Sequence, residues 1–354
     1  LPYQKNKEFH ALLDKVDSCL DNELPFVIYR KPRERQVTAI FQSNDFLNRS
    51  YDFTERGFVF APFIFSDNAV LIKADEVITS IFEIDKQKPP GTSRVSDFGK
   101  EPHLNLVARG IDEINKGKLK KIVLSRKIEV TLQQPPTEIF QRLLDRYDNA
   151  FCYLWFHPAV GMWCGATPET LVYIRDRETH TMSLAATLPV EDGRLPQWGN
   201  KEIEEQEMVS TYIGEKLDGL MDELEVGKAE SVRAGNLWHL KSEIRGNLSP
   251  RTTIKEVVRA LHPTPAVCGI PTADAQAFIE SNEGYQRTFY TGFLGELNLY
   301  AAKEISLFVN LRCMEIEKEK ASIFVGGGIT KASVPEKEWT ETQNKSKTLL
   351  NVLQ

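Results

Sequence analysis

Between residues 150 and 187, four runs rich in aromatic and β-branched residues follow one another with only short polar breaks: "AFCYLWF", "GMWCGAT", "TLVYIR" and "HTMSLAAT". Such runs read as strands. Separated only by short turns, they read as consecutive strands of an antiparallel style. The pattern returns later in "RTFYTGFLGELNLY", "EISLFVNLRCMEI" and "KASIFVGGG", and the first hundred residues alternate strand-like runs such as "PFVIYR" and "RGFVFAPFIF" with polar turns. Helical patterns are interspersed without a regular strand–helix–strand rhythm. "HLNLVARGIDEINKG", "TEIFQRLLDRY", residues 199–225, "TTIKEVVRAL" and the C-terminal stretch each carry helical spacing. A mixture of this kind predicts an α+β fold rather than a doubly wound one. "DKQKPPGTSRVSDFGKEP" (85–102) has the composition of a surface linker.

With 354 residues the chain can bury a substantial core. A net charge of −6 gives no electrostatic reason to bind nucleic acid or an anionic membrane, and the basic run "KGKLKK" is too short to change that. The five cysteines are widely spaced, with no C-x-x-C pair, which predicts buried thiols rather than a zinc site or a disulfide framework. No run approaches the length of a membrane span, and no signal-peptide pattern opens the chain, so a cytoplasmic protein is expected.

Glu338, Glu341 and Lys345 share one face of the C-terminal helix, whose start is marked by Ser333, Pro335 and Glu336 in the pattern of a capping box. The plain reading of that face is a solvated row with one Glu–Lys pair. A second helix, "NKEIEEQEMV", places Glu202 and Glu205 at the same three-residue spacing, with Glu205 bordering the apolar Met208 and Val209. Two such edges turned inward could hold Mg²⁺, which needs only one or two protein carboxylates. Lys121 at the mouth of "IVLSR", Glu169 in the turn of "CGATPETLVY" and Arg312 in "LFVNLRCMEI" sit against apolar flanks. Their plain readings are a strand-end lysine, a turn carboxylate and a paired arginine. His239 and His262 are further candidates, and a lone histidine is more often structural than catalytic. The Pro- and Gly-rich stretch 262–271 reads as a rigid loop, and "GGGI" (326–329) as a glycine-rich turn whose bare backbone N–H groups can meet a carboxylate.

Taken in order, "KIVLSR", "CGATPETLV", "SLAAT", "EIEEQEMV", "LWHL", "LHPTPAVCGIP", "RTFYTGFLGEL", "NLRC", "FVGGGI" and "EKEWTETQNK" resemble the chorismate-utilising enzymes, most closely the isochorismate synthases. The resemblance runs from about residue 105 to the end. It implies one domain over 1–354, with 1–100 as variable N-terminal strands and 101–354 as the catalytic region. The implied fold is of the anthranilate-synthase type, two large antiparallel sheets packed face to face with helices outside. Glu205 and Glu341 match the family's Mg²⁺ ligands, with Glu202 and Glu338 as supporting acids. Lys121 matches the base that activates water, and Glu169 the acid that protonates the departing hydroxyl. Arg312, Tyr290, Lys345 and the backbone of Gly326, Gly327 and Gly328 would bind the carboxylates of chorismate. Thr187, His239, Ala266, Val267 and Gly269 would line the ring.

Within the family, Ala185 occupies the position of the nucleophilic lysine of aminodeoxychorismate synthases. Ala266 stands where anthranilate and salicylate synthases carry threonine, and Lys121 is present where ammonia-using relatives generally lack it. These residues imply Mg²⁺-dependent conversion of chorismate to isochorismate, feeding menaquinone synthesis by preference, or siderophore synthesis. Salicylate synthase, anthranilate synthase component I and an inactive ligand-binding homologue are the alternatives. No obligate protein partner is implied, and a monomer is expected. Ser183 and Ala186 depart from the family's usual proline and glycine.

Overall fold

The computed structural model describes residues 6–66, 68–84, 95–190, 194–234 and 237–353. Among these, every ladder between named strands is antiparallel, and the strands form one nine-stranded and one ten-stranded sheet. The strands read between 150 and 187 are observed at Phe151–His157, Gly161–Thr167, Thr170–Arg175 and Glu178–Pro189. The first two lie in the smaller sheet and the last two in the larger. The chain changes sheets at Pro168–Glu169, which places Glu169 at the seam.

The sheets meet across an aromatic layer. Tyr29, Tyr153, Trp155, Trp163 and Phe324 from one sheet pack against Phe58, Phe60, Leu294 and Phe308 from the other. The Phe151–Phe308 and Trp163–Phe324 rings stack, with centroids 4.2 and 5.5 Å apart. Burying rings of this size dominates the energetics of such a core. The outer faces are covered by helices. Lys7–Asp21 and Pro136–Arg146 pack on the smaller sheet, and Asn200–Leu217 and Ile254–Leu261 on the larger. All five cysteines are free and buried, as their spacing implied.

Several local expectations are corrected. The helical pattern over 199–225 ends at Leu217, where Gly219 turns the chain through φ +78° and Met221–Val226 leaves as a strand. Ser333 does not cap the last helix, which runs Pro335–Leu350 from an N-cap at Val334. The Ser333 hydroxyl instead accepts from the Thr330 N–H. "GGG" is not a turn. Gly326, Gly327 and Gly328 lie inside the strand Lys320–Ile329, opposite Ser125, Leu124 and Val123 of Lys121–Thr131. Only Phe293–Leu297 of "RTFYTGFLGELNLY" is a strand, and the helices Lys7–Asp21 and Thr272–Asn282 were not anticipated. Of the linker 85–102, residues 85–94 lie outside the described residues, and its end already belongs to the helix Lys100–Asn115.

Candidate active site

The strand Lys121–Thr131 supplies the floor. Alternation sends Ile122 and Leu124 into an apolar cluster with the Lys100–Asn115 and Thr272–Asn282 helices, which leaves Lys121 and Val123 on the other face. Beside it, the ladder between Lys320–Ile329 and its second neighbour ends at the Met314–Ile323 pair. Beyond that point the backbone of Gly326–Gly328 has a strand partner on one edge alone. The cleft opens along the other edge, with about 680 Å³ of space not filled by atoms.

Lys121 is 1% exposed, and its Nζ lies 2.9 Å from Glu205 Oε1. A Cβ on Gly328 would overlap Glu205 Oε1 and stand 3.0 Å from Lys121 Cε, so only glycine lets these two groups meet there. Across the cleft, Glu169 is 3% exposed. Burial pushes its carboxyl up to about 8, which the charges of Lys121 and Lys345 offset only in part. Glu169 therefore carries a proton at neutral pH, as a general acid must. A protonated carboxyl in the cleft wall thus lies within electrostatic reach of a buried lysine that joins the cleft through Glu205.

Arg312 sits at a backbone φ of +47° and is buried. Its guanidinium donates to Thr348 Oγ1 at 3.0 Å and to His239 Nε2 at 3.4 Å. Among the described residues no carboxylate reaches it at ion-pair distance, and Glu341 acts on it only from further off in the same cleft, so a buried cation stands there without a direct ion-pair partner. Such a group is costly unless an anion arrives. His239 is held near 3 by burial, with Arg312 and Lys345 adding to the effect, and is neutral. Its Nδ1–H donates to Ala186 O at 2.8 Å, which leaves Nε2 to accept from Arg312. Ala186 lies at φ +58°, where the ladder to Leu237–Leu248 slips register between Ala185 and Leu188. The backbone there favours glycine, and this chain carries a methyl group instead.

Two helices bring carboxylates to the cleft. Arg126 fixes the Pro335–Leu350 helix: its guanidinium stacks 4.0 Å from the Trp339 ring and bonds Thr342 Oγ1 at 2.9 Å and Gln343 Oε1 at 2.8 Å. In the Asn200–Leu217 helix, Gln206 bonds the Ser183 and Ser242 hydroxyls beside Glu205. Glu338 is 1% exposed and raised above the usual carboxylate range by burial and by repulsion from Glu341. Lysines meet each acid: Lys121 Nζ lies 2.9 Å from Glu205, Lys201 Nζ 2.7 Å from Glu338 and Lys345 Nζ 2.7 Å from Glu341.

Glu338 Oε2 is nevertheless buried with no hydrogen-bond partner. The position of a Cβ on Gly327 would lie 3.4 Å from that oxygen and 3.5 Å from Glu341 Oε1. An orphaned anionic oxygen beside a second carboxylate, over a residue without a side chain, fits a small hard dication. No group of three or more acidic, His or Cys ligands forms a protein cage among the described residues. Mg²⁺ does not need one, because it keeps several waters or substrate oxygens.

The model of the chorismate binding enzyme family matches residues 68–354. The chain belongs to this family. It is 32% identical over 272 residues to isochorismate synthase DhbC of Bacillus subtilis, covering 72% of this chain and 68% of that protein. The solved structure of a 2,3-dihydroxybenzoate-specific isochorismate synthase from Bacillus anthracis superimposes with a TM-score of 0.79 at 24% identity, covering 94% of this chain and 96% of that one. Anthranilate synthase component I of Streptococcus pneumoniae does so with a TM-score of 0.68 at 18% identity, covering 92% and 90%. The expected anthranilate-synthase-type fold is therefore present, and the chain is an enzyme of the chorismate-binding family.

The cleft of this family member gathers most of the residues read from the sequence. Glu169, Thr187, Glu205, His239, Ala266, Val267, Tyr290, Arg312, Gly326, Gly327, Gly328, Glu341 and Lys345 line it, and Lys121 joins it through Glu205. Three do not. Gly269 pairs with Ile122 in a short strand behind the floor, where its backbone conformation and the nearby Lys121 carbonyl exclude a side chain. Glu202 Oε2 accepts from Gly199 N at 3.0 Å and so caps its own helix. His262 is structural, with Nε2 3.0 Å from Phe63 O. Sequence reasoning missed Val123, Leu311 and Phe324, which line the cleft from within recognised stretches. It also missed Arg287, which holds the walls together. Arg287 pairs with Glu283 at 2.6 Å and donates to Val123 O and Val267 O at 2.8 and 2.9 Å. Its glutamate partner four residues earlier was the available signal. No helix among the described residues is long and apolar enough to cross a membrane.

Proposed function

We propose that this protein is an isochorismate synthase that depends on Mg²⁺. Its substrate would be chorismate and its reaction the net transfer of a hydroxyl from C4 to C2. The observation that carries the reading is Glu169, a carboxyl kept protonated by burial in the cleft, within electrostatic reach of the buried Lys121. Lys121 would take a proton from water as its oxygen bonds to C2. Glu169 would give its proton to the C4 oxygen, which leaves as water while the ring double bonds shift. One water enters and one departs, so the product is an isomer. Arg312, with no anion of its own, would take one substrate carboxylate, and Lys345 with the open backbone edge of Gly326–Gly328 would hold the other end. Neutral His239 would orient Arg312 rather than titrate.

Glu338 and Glu341 would hold the Mg²⁺ together with waters or substrate oxygens. Glu205 would be a supporting acid in the same cleft, and the charge of the ion would anchor the ring carboxylate. Expected surroundings are cytoplasmic, with no obligate partner, and the product would feed menaquinone or catechol-siderophore synthesis. Incubation with chorismate and Mg²⁺, followed by chromatography, tests the assignment. Isochorismate as the sole product is the expected result. Salicylate would reveal a pyruvate-eliminating synthase, ammonium-dependent anthranilate would reveal the aminating relative, and absence of turnover would leave a binding homologue.

A further inference from the structure

Of the three lysines that meet the acidic cluster, Lys121 and Lys345 already have work in the reaction and Lys201 has none. Lys201 stands in the first turn of the Asn200–Leu217 helix, yet its Nζ reaches Glu338 Oε1, 137 residues away, at 2.7 Å. That carboxylate is 1% exposed, while the Lys201 side chain keeps 25% of its surface. The pair spans a second cavity at the mouth of the cleft, lined by Gly199, Asn200, Glu202, Glu338, Glu341 and Asn344 among others. Lys201 engages one oxygen of Glu338 and leaves Oε2 bare. Each of the two adjacent carboxylates therefore has one ammonium group, Lys201 on Glu338 and Lys345 on Glu341, and one buried oxygen of Glu338 has no hydrogen-bond partner.

We infer that Lys201 is the resident counter-ion of the Glu338–Glu341 pair, displaced when a dication binds, so that metal occupancy unlatches the first turn of the Asn200–Leu217 helix at the cleft mouth. The inference rests on the metal reading given above. A dication on Glu338 would repel an ammonium already bonded to that carboxylate, and the bond that Lys201 gives up joins the two acidic helices. The metal and the ammonium thus compete for Glu338, and metal-free protein has its mouth tethered shut at this corner.

Calorimetric titration with Mg²⁺ alone, without substrate, on wild type and Lys201→Met tests the exchange. Removal of the competitor should tighten Mg²⁺ binding about tenfold, a factor equivalent to about 1.4 kcal/mol. Lys201→Arg keeps the charge and should bind like wild type. The same Lys201→Met change made in a Glu338→Gln background should have no effect on Mg²⁺ affinity, because the contested carboxylate is gone. That neutral background also keeps the test alive if Lys201→Met alone folds poorly. Hydrogen exchange at residues 200–204 should quicken on addition of Mg²⁺ in wild type. Absence of Mg²⁺ binding by wild type would overturn the metal reading and the exchange together. Binding by wild type with equal or weaker affinity in Lys201→Met would overturn the exchange alone, as would equal tightening in both backgrounds.

Discussion

Glu169→Gln separates the acid from its environment. The side chain is almost entirely buried, which raises its carboxyl from an ordinary 4.5 to about 8. In the unfolded chain the group ionises near its ordinary value, so between these two limits the folded protein binds the extra proton. Stability therefore falls as pH rises through that window and levels off above about 8. At about 1.36 kcal/mol per unit, the native wild type forgoes about 3 kcal/mol at pH 7 and nearly 5 kcal/mol at pH 9. Glutamine mimics the protonated acid in shape and cannot ionise, so the variant escapes this loss. Urea unfolding at pH 5, 7 and 9 should show Glu169→Gln close to wild type at the lowest pH and progressively more stable above it. Turnover should drop by roughly 10²–10⁴-fold, the usual contribution of a general acid. In the wild type, kcat/KM should decline as pH passes about 8 and Glu169 of the free enzyme loses its proton. A stability difference that stays constant with pH would refute the reasoning, as would a variant that retains turnover.

Three further outcomes are expected. Lys121→Ala should reduce isochorismate formation by roughly 10²–10⁴-fold while leaving chorismate binding in the presence of Mg²⁺ largely intact, measured as turnover against equilibrium binding. Gly328→Ala drives a methyl group into Glu205 Oε1, so turnover should fall at least about tenfold with little change in the circular dichroism spectrum. Ala186→Gly relieves a left-handed backbone at φ +58° and should stabilise the protein by about 1 kcal/mol in urea unfolding without loss of activity.

The strand-rich order of the chain and much of its antiparallel pairing were legible from the short breaks, although the break at Pro168–Glu169 leads from one sheet to the other instead of pairing its flanking strands. The site was legible to the extent that its residues fall within stretches a family shares. Periodicity failed where charge obscured it. "MDELEV" carries enough acid to pass for a continuing helix, although Gly219 ends the helix and the strand pairs along one edge with Leu237–Leu248. The Lys7–Asp21 helix could have been found, since Phe9, Leu12, Leu13 and Val16 follow helical spacing and all are buried. Gly269 and Glu202 were placed in the cleft by their neighbours in sequence. One is held by strand pairing and the other by an N-terminal cap, both local duties that a motif does not reveal. Lys201 was overlooked because its significance depends on a carboxylate 137 positions away.

The aromatic layer between the sheets has a consequence for how substrate comes and goes. Phe324, whose ring stacks on Trp163 and Tyr290, belongs both to that layer and to the cleft wall, so the wall is part of the aromatic core. Close-packed rings do not yield gradually. Access must come from the side built of helices, where single ionic contacts rather than interlocked rings set the clearance. Ionic strength and divalent ions are thus the natural levers on product escape, whereas substitutions in the slab will register as lost stability.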